Sequence, residues 1–144
     1  MAKSVHEERM LARKNALQVM YQGEILDVAP LDLVNERRLV PETSGLDEYA
    51  VSLLEGCKQH QNDIDRQIVG ASENWTMDRM PIVDRSLLRL ATYEMCYVED
   101  VPVSVSINEA VNLAKEFGGD DSPRFVNGIL GRIALQLEGK ADEE

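Results

Sequence analysis

Few residue combinations in this 144-residue chain have the types and spacing that chemistry needs. Catalysis calls for a nucleophile beside a base, a cluster of metal ligands, or a loop that cradles phosphate. Cys57 and His60 stand three apart on a helical pattern and make at most half a metal site, because the only other cysteine is Cys96 and the only other histidine is His6. Zinc takes three or four such ligands, so no metal site is expected. Gly128-Ile-Leu-Gly131 has the spacing of the RNA-clamping loop of KH domains, yet it falls inside a helical apolar stripe and the surrounding βααβ pattern is missing. Gly118-Gly119 follows a helix instead of a strand, which makes it a helix stop and not a dinucleotide loop. The chain reads as a non-enzyme without a cofactor. What remains is the cationic start: Lys3, Arg9, Arg13 and Lys14 against Glu7 and Glu8 give a local charge of +2, within a chain whose net charge is −11. Cations on a helix can lie along a phosphate backbone while single-stranded bases stack on aromatic or guanidinium planes. On charge alone a solvated helix face is the plainer reading, and −11 repels a polyphosphate at long range.

The elements that must position those cations are helical. Apolar residues recur every three to four positions from about 7 to 26, from 46 to 60, around Ile64, Ile68 and Val69, from Pro81 to Asp100, and from 107 to 137. Ser106 and Glu109 have capping-box spacing, which predicts a helix over 107–117 ended by Gly118-Gly119. Ser122 as N-cap and Pro123 at the first helical position restart the chain in a final helix. Gly128 and Gly131 inside that helix predict close approach by a neighbouring backbone. Residues 27–45 hold Pro30, Pro41 and Gly45 and predict a short helix within a mobile region. No stretch alternates with period two for long enough to build a sheet, so the fold class is all-α, in one domain over 1–144 with 1–6 and 138–144 flexible. Two cysteines in helical apolar patterns point to reduced core thiols, no apolar run approaches a membrane span, and the first twenty residues lack a signal-peptide block. A cytoplasmic protein is expected.

Several stretches in order resemble the transcription antitermination factor NusB family: an Arg-Lys-x-Ala-Leu-Gln-x-Met-Tyr start, DRSLLRLATYE, INEAVNLAKEFG, a short acidic link and SPRFVNGIL. The resemblance spans nearly the whole chain. It implies about seven helices in two packed bundles, and an antitermination role in which the protein pairs with NusE, a ribosomal protein of the small subunit. The pair then binds boxA single-stranded RNA and helps RNA polymerase read through terminators, notably in ribosomal RNA operons. By the same resemblance the RNA-binding residues are Lys3, Arg9, Arg13, Lys14, Asp121 and Phe125, and the partner-binding residues are Tyr21 and Asp84. This chain departs from the arginine-dense version of the start, so its RNA affinity alone is expected to be weak. Changing Arg9 and Arg13 together to Ala is expected to lower affinity without moving the melting temperature. Two other readings stay open: a homodimeric helical interaction module, and a domain of the kind that precedes RNA methyltransferases. The lack of a cofactor motif before Glu144 counts against a free-standing enzyme of that kind.

One carboxylate sits where a helical wheel puts apolar residues. Glu94 lies in the middle of the stripe made by Val83, Leu87, Ala91 and Val98. Buried there it needs donors. The free N–H groups after Ser106, Arg89 and Arg132 are the candidates in sequence, and the expected role is structural.

Overall fold

The structure, a computed structural model, describes residues 4–36, 38 and 46–143. Seven helices account for nearly all of them: α1 (Val5–Leu26), α2 (Pro30–Asn35), α3 (Glu48–Gln59), α4 (Gln61–Ala71), α5 (Ile82–Tyr97), α6 (Val103–Phe117) and α7 (Ser122–Glu143). Among the described residues there is no strand, and Met77–Arg79 form a single 3-10 turn between α4 and α5. Among the described residues no helix is long and apolar enough to cross a membrane.

Local chemistry sets most of the helix ends. The Ser4 hydroxyl accepts from the Glu7 N–H at 3.1 Å, and the Asp47 carboxylate accepts from the Ala50 N–H at 2.8 Å, so α1 and α3 each start on a side-chain cap. α1 stops where Asp27 turns left-handed at φ 56°. Gly23 is required there, because a Cβ would lie 2.6 Å from the Val28 carbonyl oxygen. α6 ends at Gly118, as the sequence predicts. α7 runs on to Glu143, so residues 138–143 continue its last turns.

Two bundles share one helix. α1 packs on α2 and α3, α6 and α7 pack on each other, α4 packs on α7, and α5 touches α1, α3, α4, α6 and α7. α5 is therefore buried along much of its length, including Leu87, Leu88, Leu90, Ala91 and Met95. One continuous core joins them, with Leu17 and Met20 of α1, Leu53 of α3, Ile64 and Ile68 of α4, and Leu130 and Ile133 of α7. Burial of this kind is the dominant favourable contribution to folding.

Two sequence expectations need correction, on the start of α6 and on the glycines of α7. α6 begins at Val103 behind Pro102, and Ser106 lies inside the helix, 1% exposed, with its hydroxyl unpartnered. Proline fixes φ and suits a helix start, so Pro102 competes successfully with the capping-box spacing four residues later. Gly128 and Gly131 face open space, since nothing lies within 4 Å of a Cβ built on either. The close approach is at Gly56 instead, where a Cβ would fall 2.1 Å from the Tyr93 ring. Of the 27–45 stretch, Pro30–Asn35 form the short helix, while residues 37 and 39–45 lie outside the described residues.

Candidate nucleic-acid and partner interface

The first helix positions most of the candidate residues. Lys3 lies outside the described residues. Arg9 and Arg13 lie one turn apart on α1 with Lys14 next to Arg13, and each meets a carboxylate contributed by a distant part of the chain. Arg9 reaches Asp100, just after α5, at 3.0 Å, and its guanidinium lies 4.5 Å from the centre of the Tyr49 ring. Lys14 reaches Glu116 near the end of α6 at 3.0 Å and sits 5.5 Å from the Phe117 ring.

Arg13 differs from both. It is 4% exposed, and its Nε donates to both oxygens of Glu94, at 2.9 and 3.0 Å. The Tyr49 hydroxyl donates to the same carboxylate. The donors of Glu94 are thus Arg13 and Tyr49, and not Arg89, Arg132 or the N–H groups after Ser106. Arg89 is occupied by Asp65 in a two-pronged pair at 2.9 and 3.1 Å, and Arg132 donates to the Ala71 carbonyl at 2.8 Å. The expected structural role of Glu94 fits its burial at 2% exposure, but the helices it ties together are α1, α3 and α5. Arg13 is correspondingly corrected from a surface RNA contact to a buried partner of Glu94. Its Nη1 is left without a hydrogen-bond partner, which adds to the reasons that this pair tolerates no loss of one member.

Asp84 is likewise buried, at 3% exposure, and is not on a contact surface. It accepts from the Ser122 hydroxyl at 2.6 Å, and that hydroxyl accepts from the Gly119 N–H at 2.9 Å. The relay ties the start of α5 to the link between α6 and α7. Burial pushes the Asp84 carboxyl above its ordinary value, with the Ser122 hydrogen bond opposing the shift.

The surface residue next to Asp84 is Val83, and it lines an apolar groove of about 620 Å³ with Leu17, Gln18, Tyr21, Ile25 and Phe117. Tyr21 is 44% exposed, Ile25 60% and Leu26 47%. These side chains form a second apolar stripe on α1, separate from the core stripe of Ala12, Ala16, Val19 and Met20. The spacing Leu17, Tyr21, Ile25 was a signal for it, because successive steps of four residues stay on one helix face. Phe117 joins the groove to the cations, as it lines one and lies beside Lys14. Asp121 is exposed in the link that follows Phe117, and Phe125 is half-buried, meeting Trp75 edge-to-face at 5.2 Å. Sequence reasoning missed Tyr49, Asp100, Glu116 and Phe117, since only their contacts with α1 mark them.

The residues weighed for metal chemistry point elsewhere. His60 stacks on Tyr97 with ring centres 3.9 Å apart, and the Cys57 thiol faces the Arg89 carbonyl at 3.6 Å. Among the described residues no three ligand-type side chains gather as a metal centre.

Comparison with known proteins places this geometry in a family. Residues 10–135 match the NusB family. The transcription antitermination protein NusB of Salinispora arenicola is 46% identical over 129 residues, covering 88% of this chain and 94% of the relative. That of Bacillus subtilis is 43% identical over 131 residues, covering 91% and 98%. The solved structure of Thermotoga maritima NusB superposes with a TM-score of 0.77 at 34% identity, covering 94% of each chain. A chain in a crystal structure of the antitermination factors NusB and NusE in complex with double-stranded RNA superposes at 0.74 with 26% identity, covering 90% of this chain and 98% of that one. The chain, with its buried Arg13–Glu94 pair, its cationic first helix and the apolar groove beside it, belongs to the NusB family.

Proposed function

We propose that this protein is a non-enzymatic antitermination adaptor of the cytoplasm, acting as a single domain. It pairs with NusE through the groove on α1 and presents the adjoining cationic face to boxA single-stranded RNA, so that RNA polymerase reads through terminators, notably in ribosomal RNA operons. The observation that carries the reading is the continuity of the two surfaces: Lys14 of α1 sits over the Phe117 ring of α6, and that ring lines the groove with Tyr21 and Ile25 of α1. Phosphate contacts supply position and most of the affinity, and the apolar groove supplies a protein partner with an aromatic anchor. The relative solved with NusE and double-stranded RNA supports the pairing with NusE and the binding of RNA. Within this reading Arg9, Lys14, Asp121 and Phe125 border the RNA, with Lys3 preceding them, and Tyr21 is the partner contact.

The test is boxA RNA binding measured by fluorescence anisotropy with and without NusE, beside a scrambled RNA. A net charge of −11 leaves the protein alone a weak binder, so NusE is expected to raise affinity for boxA and not for the scrambled sequence. Tyr21→Ala is expected to remove the effect of NusE while leaving the melting temperature in place, as Tyr21 is exposed. Equal affinity in the presence and absence of NusE refutes the reading.

A further inference from the structure

On α1 the exposed cations are not free. Arg9 is held by Asp100 at 3.0 Å and Lys14 by Glu116 at 3.0 Å, and both acids come from more than ninety residues away in the chain. The Arg9 side chain is 24% exposed against 70% for Asp100, and Lys14 is 38% exposed against 51% for Glu116. In each pair the cation is fixed against an aromatic ring, Tyr49 or Phe117, and the acid is the more exposed member. A carboxylate presents the same charge and acceptor geometry to a guanidinium or ammonium group as a phosphodiester does.

We infer that Asp100 and Glu116 are affinity-setting residues that occupy the phosphate positions of the α1 face, and that an RNA backbone binds there by displacing them. The inference rests on the proposed RNA role and adds to it a built-in competitor. The rings keep Arg9 and Lys14 in place when the acids swing into solvent, and exposed ion pairs of this kind are weak enough to exchange. Each pair attenuates RNA binding by roughly twofold to fivefold, the equivalent of an exposed ion pair. The attenuation makes the chain dependent on its partner for tight binding. It also lowers the salt dependence: released carboxylates take up cations from solution while phosphates release them.

The experiment compares four full-length proteins for binding to a short labelled boxA RNA in the presence of NusE, across a salt series. Asp100→Asn with Glu116→Gln opens both pairs. Glu55→Gln with Glu138→Gln makes the same change in net charge at exposed positions on α3 and α7. Arg9→Ala with Lys14→Ala removes the cations, and the natural protein is the reference. The Asp100/Glu116 variant is expected to bind roughly 4- to 25-fold more tightly, with a salt slope steeper by up to about 1.4. The Glu55/Glu138 variant is expected to gain much less, with an unchanged slope. Equal gains in the two charge-matched variants, or no gain in the first, overturn the inference while leaving the RNA role standing. Unchanged binding by the Arg9/Lys14 variant overturns the RNA role of this face and the inference with it.

Discussion

Replacing Glu94 with Ala should be among the most damaging single changes in the chain. The substitution removes the acceptor of a guanidinium that is 4% exposed and already has one nitrogen unpartnered, and it frees the Tyr49 hydroxyl. Breaking a buried ion pair by deleting one partner costs about 3–5 kcal/mol, because the remaining charge is stranded away from water. Domains of this size are stable by only about 5–15 kcal/mol, so the loss is a large share of the total. At roughly 3–4 °C per kcal/mol the melting temperature should fall by about 10–20 °C. Arg13→Met combined with Glu94→Leu removes both charges and refills the volume, and it should fall within about 2 kcal/mol of the natural protein. Urea unfolding followed by far-UV circular dichroism measures all the corners of the cycle. A Glu94→Ala loss below about 1 kcal/mol, or a double variant as unstable as the two single losses added together, refutes the argument. The same reasoning changes the expected behaviour of Arg9→Ala with Arg13→Ala: the double variant should unfold more easily, so it cannot report on RNA contacts alone.

Asp84 gives a pH prediction. Its folded pKa is raised by burial above the ordinary 3.8, so the protonated form is favoured in the folded state. The stability this contributes is fully present below the unfolded pKa and is lost as pH rises through the folded one. Asp84→Asn keeps an acceptor for Ser122 and should flatten the stability profile just above pH 3.8 in urea titrations; an unchanged profile contradicts it. Two glycines should respond in opposite directions: Gly56→Ala drives a methyl into the Tyr93 ring and should cost about 1–3 kcal/mol, whereas Gly128→Ala meets open space within a helix and should add about 0.5–1 kcal/mol. Thermal melts of both variants decide the matter. Burial pushes the Cys57 thiol up to about 12, so maleimide at pH 8 should leave it unlabelled in the folded protein and label it once urea unfolds the chain. Labelling of Cys57 at the rate of a free thiol in native buffer would show that the core around α3 opens.

The sequence by itself determined what short-range chemistry controls. Apolar spacing marked the long helices, Gly118 stopped α6 where expected, and the absence of period-two alternation left an all-α fold. The wheel position of Glu94 also marked it as buried and in need of donors. Tertiary structure alone decided which donors arrived, because Arg13 lies 81 residues away and Tyr49 45 residues away, separations that no helical periodicity constrains. For the same reason two of the four basic residues weighed at the sequence level could not be told apart: Arg9 and Arg13 are one turn apart on α1, yet one faces solvent beside Asp100 and the other enters the core. Ser106 and Gly128 show the same limit. A cap depends on which nearby residue starts the helix first, and a glycine's value depends on whether a neighbour approaches, so both are settled by how the helices pack.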